Sequence, residues 1–362
     1  MSEKTLAFSE SPLAKDLLAE VIFENDCSYM YVVKHIQDEE KAEIVAACWV
    51  KNHVYVEDYY SGDEDLKRGL QPKMPTLYCN YADDLAQFQE EDLELVWGEE
   101  GYAVALYEKD ELVCVIPYWT DDHFLGYSKY SNKSDVQGFP WPLNDAKSNS
   151  MFERMAKAKT FWGQDFGKLW SDYQTGYISE LEEQFGKHTQ YYAIDGNEFP
   201  PRGLAVFEKD GYSYAFTIGM GLFPQPRAEL FFENAEKVEK IELAFCYKTN
   251  LEFDAMKALS TIASIATIPW ISKTFLADLH TVNFKIHPSY EVAVLVSKDD
   301  ANLAHINCLN QQSVNLLWLL PLHQNISIKL RATNPTEDPT YALTVNNLVK
   351  SGKIKLSDFE KE

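Results

Sequence analysis

Apolar and polar positions alternate with period two from Leu204 to Ile218, and this stretch predicts the clearest pair of elements in the chain. Leu204 and Val206 alternate with Ala205 and Phe207. Asp210-Gly211 then supplies the dipeptide that tolerates positive φ at both centres of a type I′ hairpin turn. On the return strand Tyr212, Tyr214, Phe216 and Ile218 share a bulky face, with Ser213, Ala215 and Thr217 on a small one. A sheet covered by a second layer has this character. Gly219-Met220-Gly221 ends the alternation, and Pro224 and Pro226 keep it from resuming at once. Ala228 to Phe232 reads as the next strand.

Upstream, Leu13, Leu17, Leu18 and Val21 give a short helical pattern over 11–25. Strand-like runs follow at Tyr29–Val33, Ile44–Val50 and Val54–Val56, then a turn-rich acidic stretch around Ser61 to Asp65. Leu93–Trp97, Tyr102–Tyr107 and Leu112–Ile116 predict a meander with turns at Gly101 and Lys109-Asp110. From Pro117 to Asp145 periodicity is lost in a long loop rich in Trp, Tyr, Gly and Pro. Loops of that length usually carry function or cover a surface. Helical spacing resumes near Met151, where Trp162, Phe166, Trp170, Tyr173, Tyr177, Leu181 and Phe185 form one aromatic stripe, expected to clasp two domains together. Gly163 and Gly167 weaken its first turns, which places the helix proper from about Lys168. Beyond the hairpin, a strand is expected at Ile241–Cys246. A helix capped by Asp254 and stopped by Pro269 follows, then strands near Lys285–Ile286, Val292–Val296 and Val314–Leu320, and a last helix from Tyr341 to Lys350.

These elements predict an α+β chain with α/β character in two domains, as 362 residues also suggest. The boundaries are 1–145 for an acidic α+β domain, 146–187 for connecting helices and 188–350 for a domain with a mixed β-sheet packed by helices. Net charge is −23 and unevenly spread: residues 1–112 hold 26 acidic and 9 basic side chains. Such a field repels phosphate backbones and excludes nucleic acid as a natural partner, while it draws in basic proteins. The six cysteines form no CxxC pair and several lie in apolar runs, so they read as buried thiols of a reducing, cytoplasmic environment. No membrane span is expected, because the longest apolar run, around Leu316–Leu322, falls far short of ~20 residues. The first twenty residues mix charges and do not read as a signal peptide.

Candidate chemistry is sparse. Gly219-Met-Gly221 lacks the third glycine and the following helix of a phosphate cradle, and reads as a structural turn. Asp121-Asp122-His123 in the aromatic loop combines two carboxylates with an imidazole, a set that could hold a metal or move a proton. Consecutive side chains in an extended loop diverge, however, and the other histidines show no HxH or HExxH spacing. No GxSxG elbow or Walker loop is present. The residues therefore suggest no enzyme, no cofactor and no metal site. A metal-assisted or acid–base enzyme using Asp121, Asp122 and His123 is the alternative.

The sequence from Tyr214 to Met220, with Pro224, Ala228-Glu229-Leu230 and Ile241-Glu242-Leu243 behind it, resembles the suppressor of fused family in its bacterial form. Ile268-Pro269-Trp270, His280-Thr281 and the late run from Val314 through Trp318 to Pro321-Leu322 extend the likeness over roughly 188–350. Gly219, Met220, Pro224, Glu229, Leu230, Trp270, Trp318 and Pro321 are the structural positions that carry it. The block from Leu112 through Trp119, Gly126-Tyr127 and Trp141-Pro142-Leu143 is similar to one that precedes this domain in longer bacterial members. The resemblance implies a mixed-sheet domain that binds proteins without catalysis. Animal relatives restrain a transcription factor, and bacterial relatives have been proposed as immunity proteins against polymorphic toxins. The expected function is thus a non-enzymatic cytoplasmic binding module, and its partner would be a protein, such as a basic toxin domain. Trp119, Tyr127 and Trp141 would serve as anchors, and Asp121 and Asp122 as contacts to basic groups.

Overall fold

The computed structural model describes residues 3–36, 42–56, 71, 73–80, 85–120, 125–132, 139–147, 150–250, 254–297, 314–331, 344–345 and 347–348. The chain divides into two compact units, Met1–Gln164 and Asp165–Glu362.

In unit 1, β1 (Lys4–Glu10), β2 (Leu17–Glu24), β3 (Cys27–His35) and β4 (Ala42–Asn52) form an antiparallel meander. The segment expected to be helical at 11–25 is therefore largely strand. Leu17, Ala19 and Val21 alternate inward, and Asn25-Asp26, both at positive φ, closes a hairpin onto β3. The helical spacing of Leu13 to Val21 is outweighed by cross-strand pairing.

A second sheet runs β5 (Leu93–Trp97), β6 (Val104–Glu108), β7 (Glu111–Ile116), β8 (Tyr127–Ser128) and β9 (Trp141–Pro142), with β8 and β9 parallel. The Lys109-Asp110 turn forms as expected, with both residues at positive φ. One face of the first sheet (Val21, Met30, Val32, Cys48) packs on the second sheet. The other face (Tyr29, Tyr31, Ala47, Trp49) is covered by Met74, Cys79 and Phe139. Two covered faces explain why β3 and β4 read as nearly continuous apolar runs. Helix α1 (Met151–Trp162) buries Met155 and Ala158 in the same core, and its Trp162 Nε1 donates to Trp97 O at 2.8 Å.

Unit 2 opens with α2 (Phe166–Phe185). Its cap, Asp165, accepts from the Lys168 amide, so the helix begins two residues before the expected Lys168. The aromatic stripe is interrupted at Gly163–Asp165, which leaves Trp162 on α1. Tyr173, Tyr177 and Leu181 form the buried line of α2, and Phe185 packs on Phe207, Tyr214 and Phe216. Each such burial contributes roughly 2 kcal/mol.

Beneath α2 lies a mixed sheet ordered β10-β11-β12-β13-β16-β15-β14. Its strands are β10 (Gln190–Ala193), β11 (Gly203–Lys209), β12 (Tyr212–Ile218), β13 (Lys240–Lys248), β14 (Thr281–His287), β15 (Tyr290–Val296) and β16 (Val314–His323). All neighbours are antiparallel except β13 and β16, which are joined by a long crossover containing α3 (Ala255–Ile265) and α4 (Ile268–Ile271). The β11–β12 hairpin has the predicted register and turn, with Asp210 and Gly211 both at positive φ. Asp254 caps α3 through the Lys257 amide as expected. Helix α5 (Gln324–Arg331) follows β16 directly. Of the helix expected over Tyr341–Lys350, residues 344, 345, 347 and 348 are described, and all four are helical. The architecture is α+β.

Candidate functional site

The aromatic loop of unit 1 divides into a sealed part and an open part. Tyr127 is buried and lies 5.4 Å from the half-buried Trp141, both packed into their own unit's core. Gly126 makes this closeness possible, since a Cβ there would stand 2.7 Å from Cys48 Sγ and 2.8 Å from Val115 O. Trp119 is 36% exposed, edge-on to the buried Tyr118. Asp121, Asp122 and His123 lie outside the described residues. Among the described residues no group of His, Cys, Asp or Glu has the arrangement of a metal site.

The described residues of unit 1 include a pair with the hydrogen bonding of a nucleophile and its base. Ser28 Oγ and His53 Nε2 are 2.8 Å apart, and His53 Nδ1 is 2.9 Å from Ala86 O. A carbonyl can only accept, so Nδ1 carries the proton and the Ser28 hydroxyl donates to Nε2. Burial lowers the His53 pKa, chiefly by desolvation and further by the Lys51 charge. The imidazole is thus neutral, as a base must be. Ser28 is fully buried, however, and its oxygen has no route to a substrate in this conformation. The pair satisfies two polar groups inside the core.

In unit 2, Gly219-Met220-Gly221 does form a cradle of amides, and a protein carboxylate fills it. Glu242, fully buried on β13, accepts at Oε1 from Gly219 N (2.7 Å), Gly221 N (3.1 Å) and the Tyr173 hydroxyl (2.7 Å). Its Oε2 accepts from Thr217 Oγ1 at 2.6 Å. Glycine is needed at both turn positions. Gly219 has φ of 108°, and a Cβ there would lie 2.6 Å from the Trp170 ring; a Cβ on Gly221 would collide with the Tyr173 hydroxyl. Desolvation holds the Glu242 pKa above its usual value despite these donors, led by Thr217. The arrangement ties α2 to the sheet and leaves no vacancy for a phosphate.

The open surface of unit 2 lies beside this turn. Pro224 is buried, and its carbonyl accepts from Trp270 Nε1 at 3.3 Å. Next to it, the buried Gln225 side chain bridges two segments. Its Nε2 donates to Leu276 O (2.9 Å) while its Oε1 accepts from Leu276 N (2.8 Å), much as a neighbouring strand would. This bridge brings the 227–232 turn beside the 271–280 loop.

The expected strand at Ala228–Phe232 is instead a 3-10 turn over Ala228–Leu230. Arg227 adopts φ of 64° and turns the chain, and Phe231 N and Phe232 N both bond to Ala228 O. Only Ala228 faces inward. Leu230 and Phe231 are 47% and 60% exposed, and Ile271 on α4 is 69% exposed. Phe231 and Phe232 lie 5.1 and 5.5 Å from Phe275, which in turn lies 5.2 Å from His280. Arg227 stands 5.9 Å over Phe231. Clusters of exposed rings of this kind mark contact surfaces.

Among the resemblance positions, Gly219, Met220, Pro224, Trp270, Trp318 and Pro321 are buried and Glu229 is half-buried, whereas Leu230 belongs to the exposed cluster. Nothing in the local sequence singles out Gln225 or the 271–280 segment. A glutamine between two prolines gives no hint that its amide pairs with a residue 51 positions away.

No helix among the described residues is long and apolar enough to cross a membrane. No curated protein matches the chain. Residues 192–325 match the family model described as Suppressor of fused protein (SUFU), a region that runs from β10 to the start of α5 and includes both the Glu242 cradle and the exposed rings. The match covers a little more than a third of the chain, and the seven-stranded mixed sheet is consistent with a suppressor of fused-like domain in that region.

Proposed function

We propose that this chain is a non-enzymatic protein-binding module whose primary contact is the ring cluster of Phe231, Phe232 and Phe275, with the exposed Leu230 and Ile271 on the same two segments. The observation that carries this reading is a solvent-facing aromatic cluster, braced from below by Gln225, inside the segment matched to a family whose activity is protein binding. Aromatic anchors supply most of the affinity at protein interfaces, and the net charge of −23 favours a basic partner by speeding encounter. A cytoplasmic immunity role, in which the partner is a basic toxin domain, fits this chemistry. Trp119 with Asp121 and Asp122 forms a second contact region on unit 1. There Tyr127 and Trp141 pack into the core of unit 1.

Capture from native cells on the tagged chain tests this, in parallel with Phe231→Asp and with a salt series. The reading expects a stoichiometric basic partner, retained by wild type and lost from Phe231→Asp at unchanged melting temperature. Its association should weaken as salt rises. Equal capture by both proteins would overturn the assignment of the surface. For the finer role, co-expression with the captured partner should restore growth that the partner alone arrests; a harmless partner would overturn immunity while leaving binding intact.

A further inference from the structure

The two sheets of unit 1 meet at a pair of thiols. Cys48 on β4 and Cys114 on β7 belong to different sheets, and both are fully buried. Their sulfurs are 3.4 Å apart, with Cys114 Sγ donating to Cys48 Sγ across a sequence separation of 66. Cys48 Sγ also donates to Trp49 O at 3.3 Å. On another side the Gly126 backbone closes the space, since a Cβ there would lie 2.7 Å from Cys48 Sγ. That wall keeps the sulfur from withdrawing toward β8. A disulfide bond is about 2.05 Å long, so the sulfurs need to approach by roughly 1.4 Å. Cys27, by contrast, donates to Asn52 Oδ1 at 3.2 Å.

We infer that Cys48 and Cys114 form a latent disulfide site, closed by a two-electron oxidant of the peroxide class, that staples the two sheets of unit 1 together. In the first step one thiolate attacks a peroxide oxygen. The O–O bond breaks, the departing hydroxide takes up the proton the thiol gave up and leaves as water, and a sulfenic acid remains. The second sulfur then attacks the sulfenic sulfur: the S–S bond forms, the S–O bond breaks, and the thiol proton departs with a second water. Two electrons leave the sulfur pair and reduce one peroxide to two waters. Burial, reinforced by the neighbouring Cys114, holds the Cys48 thiol well above the ordinary cysteine pKa. Both cysteines are free thiols, and oxidation proceeds through brief openings of the sandwich.

The test uses the full chain treated with hydrogen peroxide in urea below the unfolding transition, then alkylated under denaturing conditions and mapped by peptide mass. A Cys48–Cys114 linked peptide is expected. The melting temperature of unit 1 should rise by roughly 10 °C, as closing a loop of this length does, and fall back on dithiothreitol treatment. Cys114→Ala should lose both effects, while Cys246→Ala in unit 2 keeps them. The map of the unsubstituted chain decides the matter even if a variant fails to fold. Recovery of Cys48 and Cys114 as free or singly oxidised residues, or linked to other cysteines, would overturn the site.

Discussion

Glu100 in unit 1 and Glu242 in unit 2 are carboxylates withdrawn from water beside glycine-flanked turns, yet they are satisfied by different kinds of donor. Glu100 sits in the Gly98–Gly101 turn, and its Oε1 accepts from Ala103 N three residues away, at 2.8 Å. Its Oε2 meets Arg154 on α1 at 3.4 Å. A local amide and one partly exposed cation account for it. Glu242 draws neutral donors from α2, from β12 and from the 219–221 turn. The first ties a hairpin to one helix through a partly exposed cation, whereas the second ties β13 to α2 and to the end of β12 with its turn through four buried neutral donors. A carboxylate held by several buried neutral donors makes the fold around it more cooperative than one held by a single amide and a partly solvated cation.

This contrast breaks most visibly at Glu242. Glu242→Ala leaves the donors of Tyr173, Thr217, Gly219 and Gly221 facing a void, and unit 2 should lose about 4 kcal/mol or fail to fold. Urea unfolding followed by hydrogen exchange within unit 2 measures this, and a loss below about 1 kcal/mol would remove the contrast. Arg154→Met is a smaller insult, because Glu100 keeps its amide and Arg154 is partly solvated. Unit 1 should lose about 2 kcal/mol, with exchange quickened around the β5–β6 turn and little changed elsewhere.

Glu242→Gln sharpens the comparison through pH. A glutamine can keep its oxygen toward Gly219, Gly221 and Tyr173 while donating to Thr217 Oγ1, as the protonated acid would. The Thr217 hydroxyl is 3.3 Å from Leu243 O and can turn its own proton there. Since the folded pKa is raised, the folded state holds an extra proton between the usual value of 4.5 and its own. Stability of the wild type therefore falls as pH rises through that window, by up to about 1.4 kcal/mol per unit, and is level above it. The advantage of wild type over Glu242→Gln should shrink correspondingly from pH 4.5 upward. A gap that widens with pH would contradict the raised value.

The smallest effect belongs to His53. Its folded pKa lies below the unfolded value near 6.5, so only the unfolded chain takes up a proton as pH falls past that point. Unit 1 should lose stability between pH 7 and pH 5 more steeply in wild type than in His53→Gln. Equal slopes would show that His53 titrates alike in both states.

What could be read in the sequence was whatever the chain decides locally. Asp210-Gly211 and Lys109-Asp110 are turns whatever surrounds them, and Asp254 caps the helix that follows it. Errors arose where a distant partner decides. Leu17 to Phe23 joins a meander because β1 and β3 flank it, against its own helical spacing. Ala228 to Phe232 has strand composition, but the left-handed Arg227 and the Gln225–Leu276 bridge turn it into an exposed corner. The amides of Gly219 and Gly221 were recognised as a structural turn, while the group they hold, Glu242, lies more than twenty residues downstream. For the same reason the aromatic loop was legible as unusual but not as sealed, since the burial of Tyr127 depends on the wall made by β4 and β7.

The most direct test of the account is hydrogen exchange on the complex formed with the captured basic partner, compared with the free chain. Protection centred on residues 227–232 and 271–280, and absent when Phe231→Asp is mixed with the same partner, is the predicted result. A complex that protects other surfaces and leaves those two segments exchanging as in the free chain would contradict it.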